Sequence, residues 1–221
     1  MAYQLLIADD HPLFRDALTM ALRQERLSDS SVLLASTLEE TLEQLSQHPE
    51  LDLLLLDLRM PGSDGFFGLL QVRKAFPEIP VVVISGSDDA SIIARTRALG
   101  ALGFIAKSAS TEAIREAVVR VLEGDEVWPD ADISKSEEED MVQVSQRVAD
   151  LTEQQLRVLQ HLQQGRLNKQ IAYDLSISEA TVKAHVTAIF RKLGVLNRTQ
   201  AVILVSKLAL DTDIAVNETQ E

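Results

Sequence analysis

The sequence predicts an α/β domain built on a five-stranded parallel sheet, followed by a separate all-α domain of four helices that holds a helix-turn-helix. Three observations lead there. Over residues 4–123, short apolar runs alternate five times with segments whose apolar residues recur at helical spacing; that alternation calls for parallel strands with right-handed crossovers and helices on both faces. Leu53-Leu54-Leu55-Leu56 is a continuous apolar run, as in a strand buried on both sides. Residues 151–210 contain only helical periodicity, broken by Gly165, Gly194 and a short Ser176-Ile177-Ser178 turn.

The elements follow in chain order. Gln4-Leu5-Leu6-Ile7-Ala8 is the first strand and ends in Asp9-Asp10. Pro12 suits the first turn of a helix, and Leu13, Phe14, Ala17, Leu18, Ala21 and Leu22 give its apolar spacing. Val32–Ala35 is the second strand. Thr37 caps the next helix, and Glu40 three residues on completes a capping box. Leu38, Leu42 and Leu45 supply its stripe, and His48-Pro49 ends it. The leucine run is the third strand and stops at Asp57, where Pro61, Gly62 and Gly65 mark a loop. Phe66–Phe76 reads as a helix that stops before Pro77. Val81–Ile84 is the fourth strand, and a helix carrying Ile92, Ile93 and Leu99 ends at Gly100. Gly103–Ala106 is the fifth strand. Ser110 caps a last helix, which Gly124 closes.

From Asp125 to Asp150 the chain carries nine acidic and two basic residues, the composition of a hydrated linker. Residues 137–148 have helical character, and Glu137-Glu138-Glu139-Asp140 reads as a solvated charge run. Trp128 has two readings, packing under the last helix of the first domain or an interdomain contact. The domains are thus drawn as 1–124, a linker 125–150, a helical domain 151–210 and an acidic tail 211–221.

In the helical domain, Thr152 and Gln155 form a capping box ahead of Leu156, Leu159 and Leu162. Asn168–Leu175 is a short second helix. Ser178 caps a third, running through Val182, Val186, Ile189 and Leu193 to Gly194. Arg198-Thr199-Gln200 opens a fourth. A short helix, a brief turn and a longer helix form a helix-turn-helix, whose second helix can enter a major groove.

Composition excludes several classes. The chain of 221 residues has no cysteine, hence no disulfide, no thiolate zinc site and no thiol nucleophile. No apolar run approaches the ~18 residues of a membrane span. No basic segment precedes the first strand, which argues against a secretory signal, so the cytoplasm is the expected location. The net charge of −13 looks hostile to nucleic acid but hides a split. Residues 151–210 hold eight Lys and Arg against three Asp and Glu, while residues 1–150 and the tail are acidic. Such asymmetry suggests a different partner for each part.

The strand ends carry the chemistry. Asp9-Asp10, Asp57, Ser85 and Lys107 all follow strands, so all leave one edge of the parallel sheet, where ligands bind in open α/β folds. Asp57 alone could be a helix-capping or loop carboxylate. In this company it becomes a candidate nucleophile for phosphoryl transfer. Clustered carboxylates suit a hard divalent cation, and Mg²⁺ commonly takes one or two of them beside a phosphate oxygen. Lys107 can neutralise phosphoryl oxygens, and Ser85 can donate a hydrogen bond to one.

These residues resemble a known pattern. Asp9-Asp10, Asp57 with Met60-Pro61-Gly62 and Asp64-Gly65, Ser85-Gly86, and Lys107 after Phe104 make residues 4–123 similar to the receiver domain of two-component response regulators. The resemblance implies a flavodoxin-like fold and phosphorylation of Asp57 by a sensor histidine kinase. It implies Mg²⁺ held by Asp10, Asp57 and the backbone carbonyl of Arg59, with Asp9 assisting. It also implies a switch pair, Ser85 and Phe104, in which the hydroxyl moves to the phosphoryl group and the ring rotates inward. His11 then reads as a partly exposed loop histidine, since the phosphodonor histidine of such systems belongs to the kinase.

Residues 151–208 resemble the DNA-binding domain of LuxR-type regulators. The carrying residues are Leu151-Thr152, Asn168-Lys169-Gln170-Ile171-Ala172, Ser178 with Thr181-Val182-Lys183 and His185-Val186, Arg191-Lys192-Leu193, and Arg198-Thr199-Gln200-Ala201. Gln154-Gln155-Leu156 departs from the charged residues common there. Together the two halves resemble the NarL/FixJ type. Lys183, Ala184 and Thr187 fall on the outward face of the recognition helix; Lys183 and Thr187 can reach base edges, and Ala184 a thymine methyl. Lys169, Thr181, Arg191, Lys192 and Arg198 are phosphate candidates, although Arg198 reads equally as a solvated charge.

The sequence therefore points to a phosphorylation-controlled transcription regulator that binds double-stranded promoter DNA as a homodimer, contacts RNA polymerase and has no membrane partner. Phosphorylation releases or reorients residues 151–208, and the acidic first part competes with DNA for the basic domain. A phosphorylation-independent regulator with an ungated receiver is the alternative. A phosphatase using Asp57 is disfavoured because Arg59 stands where such enzymes place a second Asp. A ligand-sensing LuxR regulator is disfavoured because the strands end in an acidic cleft.

Overall fold

A computed structural model describes residues 2–129, 143–144 and 146–206. The N-terminal domain carries a five-stranded parallel sheet in the order β2-β1-β3-β4-β5. Its strands are β1 (Gln4–Ala8), β2 (Ser31–Ala35), β3 (Leu53–Asp57), β4 (Val81–Ser85) and β5 (Gly103–Ala106). The helices between them are α1 (Pro12–Leu22), α2 (Leu38–Gln47), α3 (Phe66–Ala75), α4 (Ala90–Ala98) and α5 (Thr111–Leu122).

Side-chain alternation along the strands builds two cores. Leu5, Ile7, Leu53, Leu55, Val82, Ile84 and Ile105 pack with Leu18 and Leu22 of α1 and Ile114, Val118 and Val121 of α5. Leu6, Ala8, Leu54, Leu56, Val81, Val83 and Phe104 face the other way, onto α2, α3 and α4. Every residue of β3 and β4 is buried, because helices cover both faces and leave no wet side for polar alternation. The chain order of strands reverses between β1 and β3, which makes their C-terminal ends the switch point of the sheet.

The helical domain contains α6 (Glu153–Gln163), α7 (Asn168–Asp174), α8 (Glu179–Leu193) and α9 (Arg198–Ser206). Leu156, Leu159, Leu162, Ile171, Val182, Ile189, Leu193, Ala201 and Val205 form its core. Thr152 and Gln155 make the reciprocal capping box at α6. Ser178 caps α8 through the Thr181 N–H, and Gly194 closes that helix with φ 69°.

Two local expectations change. Thr37 accepts from the Glu40 N–H at 3.1 Å, but the Glu40 carboxylate reaches back to the Ser36 N–H and hydroxyl, both at 2.7 Å, instead of the Thr37 N–H. One more residue back gives that carboxylate two donors instead of one. Trp128 lies under the Arg97 guanidinium of α4, 5.0 Å from its ring centre, not under α5. The cause is Val127, which pairs with β5 and carries the chain along the free edge of the sheet: the Phe104 N–H donates to its carbonyl at 2.8 Å. Glu137–Asp140, most of the 137–148 helix and the tail 211–221 lie outside the described residues.

Candidate functional site

Backbone direction explains why four distant segments meet. Parallel strands all point the same way, so Asp9, Asp57, Ser85 and Lys107 emerge at one edge. Asp9 and Asp57 are 2% and 1% exposed, whereas Asp10 is 32% exposed at the rim. Lys107 Nζ bridges the two buried carboxylates, 2.6 Å from Asp9 Oδ2 and 2.8 Å from Asp57 Oδ2. The other Asp57 oxygen, Oδ1, accepts the Arg59 N–H at 3.1 Å. The Lys107 N–H is in turn held by the Ser85 carbonyl at 2.7 Å, which fixes the lysine to the end of β4.

Charge balance is incomplete. Three carboxylates share one ammonium, and the His11 ring nitrogen Nδ1 sits 2.7 Å from Asp10 and 3.2 Å from Asp9. Ligand atoms of Asp9, Asp10, His11 and Asp57 all lie within 4.8 Å of one another. Asp9 Oδ2 and Asp10 Oδ1 are buried without a hydrogen-bond donor, beyond these ion-pair contacts. Three carboxylates against one ammonium leave the cleft net negative, an arrangement that a further cation would relieve.

The other feature is the helix pair α7 and α8. Lys183, Thr187 and Arg191 stand four residues apart along α8 and form one exposed line, with Ala184 beside it. Lys183 pairs with Glu179 at 3.2 Å across a single turn.

Comparison with known proteins agrees in both halves. Residues 5–119 match the response regulator receiver domain, and residues 149–205 match the luxR family of bacterial regulatory proteins. The glycerol metabolism activator of Pseudomonas putida is 40% identical, over 91% of this chain and 94% of its own. The nitrate/nitrite response regulator protein NarP of Escherichia coli K12 is 32% identical, with the same coverage of 91% and 94%. This chain belongs to the NarL/FixJ-type response regulators. Among solved structures, RcsB of Salmonella enterica serovar Typhimurium, bound to promoter DNA with a phosphomimetic, covers 95% of this chain at TM-score 0.55 and 20% identity. That likeness concerns the fold.

In this response regulator, the receiver brings together Asp9, Asp10, Asp57 and Lys107, with the Arg59 backbone beside them. Ser85 is buried next to them, and its hydroxyl accepts the Ser87 N–H at 3.3 Å. Phe104 is 1% exposed, so its ring already lies inward. In the LuxR-type domain, Lys169, Thr181, Lys183, Ala184, Thr187 and Arg191 are exposed. Lys192 and Arg198 are committed within the protein. Lys192 Nζ donates to the Asp150 carbonyl at 2.9 Å and to Gln155 at 2.8 Å. The Arg198 guanidinium caps the end of α6, donating to the carbonyls of Leu162 and Arg166.

Three participants escaped sequence reasoning. His11 joins the acidic cluster despite being 64% exposed. Arg15, one turn into α1, donates to the Asp9 carbonyl. Asp64 bonds to the helical domain, and nothing local in the sequence announces that.

Proposed function

We propose that this transcription regulator is controlled by phosphorylation of Asp57. The observation that carries the reading is the buried Asp57 carboxylate held between the Lys107 ammonium and the Arg59 N–H at the switch point of the sheet. A kinase phosphohistidine would supply the group. An Asp57 oxygen forms the new O–P bond while the P–N bond breaks and its electrons leave with the imidazole. Lys107 is placed to follow a phosphoryl oxygen, since its ammonium already binds the attacking carboxylate. Ser85 can go on accepting from the Ser87 N–H while its own hydroxyl hydrogen turns to donate to the same group. Pre-positioned charges of this kind suit a transfer that depends on alignment and neutralisation.

The donor set fits a hard cation: the carboxylates of Asp9, Asp10 and Asp57 lie together, with the His11 imidazole beside them and one ammonium among them. Asp10 and Asp57 would hold Mg²⁺ with the Arg59 carbonyl, Asp9 assisting. Bound there, it would neutralise charge on the phosphoryl oxygens.

The output is promoter DNA, bound by residues 151–210 as a homodimer on paired half-sites. RcsB has been solved as dimers on DNA. Lys183, Ala184 and Thr187 would read bases, and Lys169, Thr181 and Arg191 would hold phosphates. Lys192 and Arg198 would join them only after giving up their present bonds. The division into receiver 1–124, linker 125–150 and DNA-binding domain 151–210 belongs to this reading, as do a cytoplasmic location and contact with RNA polymerase.

The test is a titration on promoter fragments with and without acetyl phosphate and Mg²⁺, using wild type and Asp57→Asn. Tighter binding by donor-treated wild type alone is the expected outcome. Equal binding in all four cases would sink the reading in favour of an ungated receiver.

A further inference from the structure

The loop after Asp57 also touches the DNA-binding domain. The domains meet along α3 and α6. At that seam the Asp64 carboxylate accepts hydrogen bonds from Gln160 Nε2 in the last turn of α6 and, at 2.8 Å, from Nε2 of Gln164, the residue that caps its C-terminus. A second tie runs from Lys74 Nζ to the Ala149 carbonyl at 2.7 Å. Asp64 adopts φ +43° to do this, a region sparse for side-chain-bearing residues but tolerated by Asp and Asn.

The path from Asp57 to Asp64 is short and stiff. Asp57 Oδ1 holds the Arg59 N–H. The Pro61 carbonyl accepts the Leu38 N–H at 3.0 Å. Ser63 is fully buried; its hydroxyl donates to the Gly65 carbonyl at 3.1 Å, and its carbonyl accepts the Gly68 N–H at 2.8 Å. A loop tied at each of these points transmits a displacement of its first residue rather than absorbing it.

Meanwhile the recognition face is open. Lys183, Ala184, Thr187 and Arg191 are exposed with the receiver docked. In this arrangement the receiver does not cover them.

We propose that Asp64 is a positioning residue. It latches α6 through Gln160 and Gln164 and so fixes the orientation of an already accessible recognition helix, and modification of Asp57 loosens that latch. This rests on the phosphorylation reading above for its trigger but not for the latch itself. Control then acts on how two recognition helices are set relative to paired half-sites, not on whether one can be reached.

The chain has no cysteine, so spin labels can be placed uniquely at Glu43→Cys on α2 and Tyr173→Cys on α7, both exposed. Pulsed electron–electron distances in full-length wild type should be narrow without donor and broad with beryllium fluoride and Mg²⁺. Losing two hydrogen bonds to a carboxylate shifts the latched-to-free ratio by about tenfold. Asp64→Ala and the double variant Gln160→Ala/Gln164→Ala should be broad without donor. Asp64→Asn, which keeps a carbonyl acceptor and tolerates the backbone, should restore the narrow distribution. Amine-reactive labelling of Lys183 should proceed at one rate in all of them. A narrow distribution in both latch-removing variants overturns the proposal, and so does Lys183 labelling that rises with donor or with Asp64→Ala. A wild type that ignores beryllium fluoride while Asp64→Ala still broadens the distribution overturns the link from Asp57 to the latch, and the acetyl phosphate titration on DNA then decides separately whether Asp57 gates binding.

Discussion

At the residue scale, Lys107 settles the electrostatics of the cleft. It lies within 2.8 Å of two carboxylates that are almost fully buried. Removing one partner of a buried ion pair strands the other, so Lys107→Ala should lower unfolding free energy by about 3 kcal/mol in urea titrations without divalent cations. Millimolar Mg²⁺ should recover most of that loss in the same titration, because a cation then replaces the missing ammonium. Gly68 is a second single-residue constraint. A Cβ there would stand 2.4 Å from Ser63 Oγ and 3.1 Å from Ser63 Cβ. Gly68→Ala should therefore destabilise the protein by about 2 kcal/mol, read as a lower Tm, through overpacking of the Asp57–Gly65 loop. Asp9, Asp10, Asp57 and Lys107 were legible in sequence because each follows an apolar run, and strand direction alone converges them. His11 and Arg15 were not, since their approach depends on the first turn of α1 and on side-chain rotamers.

At the element scale, capping residues set the start of four of the nine helices α1–α9. Thr37, Ser110, Thr152 and Ser178 each accept the backbone N–H three residues on, and each was readable because such caps are local. Glu40 adds a titratable part. Hydrogen bonds from the Ser36 N–H and hydroxyl hold its carboxyl below its ordinary value. A depressed folded-state value gives stability that is present above the ordinary Glu range and lost as pH falls through the folded-state value. The protection factor of the Ser36 amide, its exchange rate relative to the intrinsic rate at each pH, should therefore fall as pH drops below that range, and Glu40→Gln should remove most of that change. Unchanged protection of Ser36 across that interval would exclude the cap. Arg198 shows the limit of local reading. It opens α9 with a cationic side chain that looks solvated, yet the approach of α6 brings two carbonyls to its guanidinium.

At the scale of the whole molecule, charge separation distinguishes the acidic receiver from the basic helical domain. Phosphate contacts release counterions, so Arg191→Ala should reduce the slope of log affinity against log salt by about one. Lys183→Ala, aimed at bases, should cost more on a matched site than on random duplex, measured in paired titrations. Equal losses on both would move Lys183 to the phosphate group. The sequence by itself determined the elements, the parallel sheet, the acidic cleft and the helix-turn-helix, because strand burial, helical period and capping are written within a few residues of one another. Only the tertiary structure decided that Lys192 and Arg198 are engaged inside the protein, that Phe104 lies inward, and that Asp64 holds Gln160 and Gln164. The polar contacts among them join residues from about thirty to about a hundred positions apart, where neither periodicity nor propensity carries information about which side chains will meet.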